Sequence, residues 1–227
     1  RDLHLSIRRQ RQMCIRDRVY MRENWQVYTA IFFGFALLAT PITSVLTWIP
    51  TYLQRIHGMS IADSGMSLGL MLFFLSSTGV IFGGWLVDYM KRRDYLDSYF
   101  RVGLIVCIAS VPLILFATSL ADLQMTLYVL CPFIFIVSMP LAVGPIVLQV
   151  ITPNQLRAQV AAVYMLFLNL LTALLGPTGI GLVTDYFFKN DLAIGQSITL
   201  INLISTPLAF IFLYFGLIHF NKRLTNS

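Results

Sequence analysis

No aspartate, glutamate, lysine, arginine or histidine falls near the middle of any of the six long apolar stretches between Val27 and Phe220. Ionisable side chains inside a bilayer mark proton relays and charged-substrate sites, so these stretches supply neither. Cysteine is equally scarce. Cys14, Cys107 and Cys131 are far apart, which excludes a disulfide framework, and the last two sit inside apolar runs as small packing groups. His4, His57 and His219 are scattered, so no cluster has metal-ligand spacing. No metal and no other cofactor is expected. An integral membrane enzyme would gather a nucleophile, an acid or a metal ligand at one depth, and no such set is present.

Charge is not only rare but misplaced for a nucleic-acid partner. The formal net charge is +6, yet residues 1–22 hold seven arginines against two aspartates, so nearly all of the excess lies in the tail. That tail begins with Arg1 and has neither the apolar core nor the small-residue cleavage site of a secretory signal. Residues 1–18 resemble translated sequencing-adapter read-through. They are expected to be non-native, with 19–26 a linker and 221–227 a short C-terminus.

What remains is apolar. The composition is 57% hydrophobic and 11% charged, more oil than a soluble domain can cover. A helix crossing about 30 Å of hydrocarbon needs about 20 apolar residues. Backbone polar groups must be satisfied internally there, so long runs without alternation read as helices. The expected fold is all-α, with six transmembrane helices at about 27–50, 64–87, 102–120, 125–151, 159–184 and 197–220. Short connections predict antiparallel sequential neighbours. Pro41, Pro112, Pro132, Pro140, Pro145 and Pro177 fall inside these spans and predict kinks. Thr152-Pro153-Asn154-Gln155 predicts a capping box opening the fifth helix, and Ser60-Ile61-Ala62-Asp63 a weaker cap before the second.

Lysine and arginine concentrate in cytoplasmic loops. Lys91, Arg92, Arg93, Arg101, Arg157, Lys222 and Arg223 lie on one side of the expected topology, and only Arg55 and Lys189 on the other. The second–third and fourth–fifth loops and both termini are therefore expected in the cytoplasm, in a multi-pass protein of the cell membrane.

Two patterns on the second span stand out. Gly65, Gly69, Ser76, Gly79 and Gly83 share one helical stripe, which predicts a seam of close backbone approach. Directly after it, Gly84-Trp85-Leu86-Val87-Asp88-Tyr89-Met90-Lys91-Arg92-Arg93 resembles the loop signature of the major facilitator superfamily. Gly84, Asp88, Arg92 and Arg93 match; Tyr89 replaces a basic residue and Lys91 a glycine. The acid can cap a neighbouring helix or pair with arginine as a releasable latch, or it can simply balance a basic anchor. Gly84–Tyr89 also has an echo in Gly181-Leu182-Val183-Thr184-Asp185-Tyr186. That echo suggests two three-helix repeats of inverted topology.

The run Thr152-Pro153-Asn154-Gln155-Leu156-Arg157, with Ala161-Ala162, Asn169 and Gly176-Pro177 through Asp185, is similar to the eleventh helix of spinster-like facilitators. The resemblance covers about 25–223 as the second six-helix half of a twelve-helix transporter. It implies that an N-terminal six-helix half is missing upstream, and that a small organic or amphipathic solute is moved by alternating access. It also implies that the first and fourth helices of this half line the cavity. If protons drive transport, their acid lies in the other half. Candidate cavity residues are Thr40, Thr43, Ser44 and Thr47, which form a hydroxyl stripe with Trp48 beside it, together with Ser138, Gln149 and Asn169. Asn169 is expected to be a buried amide. Hydroxyls on such a stripe can bind a solute or join helices. A non-transporting scaffold or receptor is the alternative, although no large soluble loop favours it.

Overall fold

The computed structural model describes residues 24–225. The expected adapter-derived tail and most of the linker lie outside the described residues. Six helices are long and apolar enough to span a bilayer: α1 Trp25–His57, α2 Ile61–Lys91, α3 Ser98–Ser119, α4 Leu123–Ile151, α5 Arg157–Phe188 and α6 Asp191–Lys222. No strand occurs among the described residues. The helices overrun the apolar stretches by a few residues at most ends.

Local chemistry sets several of the ends. Gly58 closes α1 in the left-handed conformation (φ 67) and returns its N–H to the Leu53 carbonyl. Ser60 caps α2 as expected, with its Oγ accepting from the Asp63 N–H at 3.1 Å. Asp122 does the same for α4 through Met125 N–H at 2.9 Å. The capping box expected at Thr152 does not form. Thr152 instead terminates α4, donating to the Leu148 carbonyl at 2.6 Å, and Leu156 precedes α5 without a side-chain cap. The reason is tertiary: the buried Thr152 hydroxyl accepts from Tyr28 Oη at 3.1 Å and so joins α1 to the end of α4. Thr152→Val should cost about 1 kcal/mol, the usual worth of a buried hydrogen bond, measurable as a lower melting temperature in detergent.

Two of the intramembrane prolines break their helices outright. α1 divides into Trp25–Leu38 and Thr40–His57, with Pro41 in the first turn of the second piece. α4 divides into Leu123–Ser138 and Pro140–Ile151. A third, Pro177, sits in a π-helical segment of α5, Leu174–Gly179, which accommodates its missing N–H. Pro112, Pro132 and Pro145 lie inside uninterrupted helix.

The helices pack as two inverted three-helix units that exchange partners. α1 lies against α5 and α6, and α4 lies against α2 and α3 in the corresponding way. The two helices broken at mid-span are thus equivalent under the internal two-fold. Sequential neighbours are not always the main partners: α1 and α2 meet chiefly near their turn, while α1 packs most extensively on α6. Short loops restrict where the next helix starts, but the buried face of α1 selects its partner.

The ends segregate as the charge pattern predicts. Asp97 reaches Asn221, and Tyr28 reaches Thr152, at one end of the bundle. Arg55 pairs with Asp191 at 3.8 Å at the other. Two apolar clusters fill the interior. One, built on Ile31, Phe35, Phe100, Val143 and Leu213, lies toward the basic end. The other, built on Ile49, Phe133, Ile134 and Ile198, lies toward the opposite end.

The glycine stripe divides. A Cβ on Gly79 would stand 2.3 Å from the Phe135 carbonyl oxygen, and one on Gly83 2.9 Å from Met139. These two glycines form a real seam with α4. Gly65 and Gly69 meet nothing within 4 Å. α2 diverges from α4 toward its start, so the same stripe is used at one end only.

Candidate functional site

The break in α1 distributes its hydroxyls over two environments. Thr40 and Ser44 point into the bundle and are fully buried. Ser44 donates to the Thr40 carbonyl at 2.9 Å, while the Thr40 hydroxyl has no partner among the described residues. Thr43 is half-buried and Thr47 exposed; they donate to the Thr40 and Thr43 carbonyls at 2.8 and 2.9 Å. The expected single stripe is therefore split along the helix axis: Thr40 and Thr47 share one face of α1, but Thr40 lies at the break inside the bundle and Thr47 two turns on, where that face is uncovered.

Thr43 and Trp48 meet α5 at its π-helical segment. Trp48 Nε1 donates to the Pro177 carbonyl at 3.1 Å. A Cβ on Gly176 would stand 2.7 Å from Thr43 Oγ1, and one on Gly181 3.3 Å from the Trp48 ring. The two glycines admit the indole and the hydroxyl at this seam, and the π-turn presents the carbonyl to the indole. The result is a hydroxyl–indole cluster, Thr43, Thr47 and Trp48, beside the open face of α5. Gly176 and Pro177 could be read from the sequence; their pairing with Trp48 could not, because it depends on helix packing.

The remaining candidates are not gathered with this cluster. Ser138 is buried at the break in α4 and donates to the Ile134 carbonyl at 2.7 Å. Gln149 is exposed near the basic end of α4. Asn169 is exposed, not buried, and its Nδ2 donates to the Met165 carbonyl at 2.7 Å. The correction has a plain cause: in α5, as in α2, only 17% of the residues in its most apolar 18-residue window are buried within this unit, so most of its surface faces outward.

At the basic end, the signature residues run over the last two turns of α2 and just beyond its end at Lys91. The side chains of Asp88 and Arg92 are exposed and make no ion pair or hydrogen bond among the described residues, while a Cβ on Gly84 would meet nothing within 4 Å. Arg93 lies over the Tyr89 ring at 4.8 Å, and Lys91 binds Tyr99 through both its hydroxyl and its ring. The turn that follows places Asp94 in the left-handed region (φ 62), which aspartate tolerates better than most side chains.

At this end, the acid that joins helices is Asp97. It is buried, accepts from Arg101 Nε at 2.7 Å and from Asn221 Nδ2 at 2.9 Å, and so ties the start of α3 to the end of α6. Burial alone would push its carboxyl pKa up. The hydrogen bonds from Arg101 and Asn221, with the guanidinium charge, outweigh that and hold it below the ordinary carboxylate value. Sequence reasoning passed over Asp97, although its spacing from Arg101 is that of a helical ion pair.

Comparison with known proteins agrees with this architecture. The sequence profile of the Major Facilitator Superfamily matches residues 3–177. An uncharacterized transporter, YybO, of Bacillus subtilis is 31% identical over 65 residues, which is 29% of this chain and 15% of that protein. An MFS-type efflux pump of Mycolicibacterium smegmatis is 25% identical over 179 residues, covering 74% of this chain and 39% of the pump. The crystal structure of a bacterial homologue of the human lysosomal transporter spinster, inward-facing and unoccupied, superposes with a TM-score of 0.66 at 15% identity. The match covers 88% of this chain and 49% of that one, so the chain spans about half the length of the fold it resembles. Six apolar helices in two inverted repeats, the partial signature at Gly84–Arg93 and the profile match converge: this chain belongs to the major facilitator superfamily.

Proposed function

We propose that this chain is the C-terminal half of a secondary active transporter. It would move a small organic or amphipathic solute across the cell membrane by alternating access. The carrying observation is the hydroxyl–indole cluster of Thr43, Thr47 and Trp48, set where broken α1 meets the π-helical part of α5 and not covered from outside. Neutral hydrogen-bonding groups beside an apolar wall suit an uncharged or amphipathic solute. The missing six-helix half would cover α2 and α5; the open Gly65 and Gly69 on α2 offer it a close approach. Asn169 and Gln149 would then meet that half or the cavity. Thr40, Ser44 and Ser138 would serve the interior packing around the breaks.

The basic end of the bundle is assigned to the cytoplasm, with both termini there. Any proton-coupling acid would belong to the other half, since no ionisable group lies at mid-span here.

In proteoliposomes of the complete protein, Thr47→Val and Trp48→Phe should each lower solute uptake on the order of tenfold, the loss of about 1.4 kcal/mol of solute or transition-state binding. Folded yield should be unchanged for Thr47→Val. Uptake at the parental rate in both variants would overturn the assignment of the cavity wall. Cysteine labelling that placed Lys91 and Lys189 in one compartment would overturn the topology itself.

A further inference from the structure

Two cavities follow one another along the seam between α3 and α6, and no residue of α1, α2 or α4 lines either. The first, of about 270 Å³, lies toward mid-membrane and is lined by Cys107, Ile108 and Val111 of α3 and Pro207, Phe210 and Ile211 of α6, with Thr206 its one polar side chain. The second, of about 560 Å³, lies at the end of the seam remote from Lys91. It is lined by Thr118 and Ser119 of α3, by Phe188 at the end of α5, and by Gln196, Thr199, Leu200 and Leu203 of α6.

Leu203 of the second and Thr206 of the first are three residues apart, so they are neighbours on one face of α6. The cavities therefore follow one another along one face of α6, and together they define a groove. From Thr199 to Ile211 it runs about 18 Å at 1.5 Å per residue, close to one leaflet of a core about 30 Å thick.

Polarity along the groove follows the membrane normal. The mid-membrane part is almost wholly apolar. The outer part presents three hydroxyls and a carboxamide. Thr118 and Thr199 are joined at 2.6 Å, Ser119 donates to the Leu115 carbonyl at 2.6 Å, and the exposed Gln196 carboxamide has no hydrogen-bond partner among the described residues. No charged side chain lines either part.

We propose that this groove holds one acyl chain of a membrane lipid with an uncharged, hydrogen-bonding headgroup. The chain lies along Ile108, Val111, Phe210 and Ile211, and the headgroup meets Gln196, Thr199 and Ser119. No lining residue is cationic, and the one cation next in the chain to a lining residue is the exposed Lys189, after Phe188; a hydroxyl-rich headgroup finds donors and acceptors in the lining itself. The groove is distinct from the hydroxyl–indole cluster on α1, and the inference does not rest on the solute assignment.

The test uses the protein purified in mild detergent, with native mass spectrometry after addition of a glucosyl-dioleoylglycerol or of dioleoyl-phosphatidylglycerol. One glucolipid per chain is expected to survive detergent stripping, and phosphatidylglycerol is expected to be stripped. Ile108→Trp and Ile211→Trp fill the groove from exposed positions and should each lower glucolipid occupancy about fivefold, equivalent to about 1 kcal/mol. Gln196→Leu should abolish the preference between the two headgroups. Phe116→Trp, 63% exposed on α3 but outside the groove, should leave occupancy unchanged and reports on folding. Parental occupancy in both groove-filling variants, or equal retention of the two lipids by the parent, would overturn the proposal.

Discussion

Gly79→Leu is expected to abolish recovery of folded protein, while Gly65→Leu is recovered like the parent. At Gly79 the obstacle to a side chain is the Phe135 backbone carbonyl, only 2.3 Å from an added Cβ. Backbone cannot swing away as a flexible side chain can. The substitution must push α2 off α4 and with it the packing around Phe135 and Met139. Overpacking typically costs about 1–3 kcal/mol, and more where nothing relaxes, so about 3 kcal/mol or more is expected here. That is a large part of the about 5–15 kcal/mol by which folded proteins exceed their unfolded states. Gly83→Leu should fall between, because part of what it meets is the Met139 side chain. Gly65 has open space around it. In detergent the peak height on size-exclusion chromatography measures all three. A monodisperse Gly79→Leu peak of parental height would show that the α2–α4 seam is not close.

The second large effect separates two acids nine residues apart in the chain. Asp97→Ala should lower stability by about 1.5–3 kcal/mol, the worth of hydrogen bonds to a buried charged group, with the lower end favoured because Arg101 is partly exposed and screened. Asp88→Asn should change stability by less than about 0.5 kcal/mol, as exposed sites without partners usually do. Transport should reverse the order. Under the proposed half-transporter assignment, the unpaired Asp88 carboxylate would latch against the second half in one state of the cycle, and its loss should slow uptake on the order of tenfold, the scale on which a small bias in a two-state equilibrium acts.

The pH dependence follows from the depressed pKa of Asp97. Its native carboxyl binds protons less readily than the unfolded one. The stabilisation is therefore complete above the ordinary carboxylate pKa of about 3.9 and is lost as pH falls through the lower native value. Melting temperatures of the parent should drop over that acidic window, and Asp97→Asn should flatten the drop. An unchanged acid limb in Asp97→Asn would show that the ionised Asp97 carboxylate is not what ties α3 to α6.

The contrast between the two acids shows why some of this protein was legible in one dimension and some was not. Asp88 lies in a recognisable run, and the run identified the family. Asp97 lies in no run; its importance comes from Asn221, far away in the chain. The sequence predicts a buried Asn169, because amides in apolar helices usually need a protein partner. Here its own helix supplies the Met165 carbonyl and leaves the side chain facing outward.

Composition and spacing were enough for the medium, the number of helices, the segregation of their charged ends and the inverted repeat. Each of these follows from transfer energies and local periodicity, which are additive along a chain. Which half of the glycine stripe is packed, which of the α1 hydroxyls is buried, whether Thr152 opens one helix or closes another, and which acid ties two helices together were all set by three-dimensional packing. Those outcomes turn on angstrom-scale approach between segments distant in sequence, such as α2 diverging from α4 or Tyr28 reaching Thr152, and no local pattern encodes that distance.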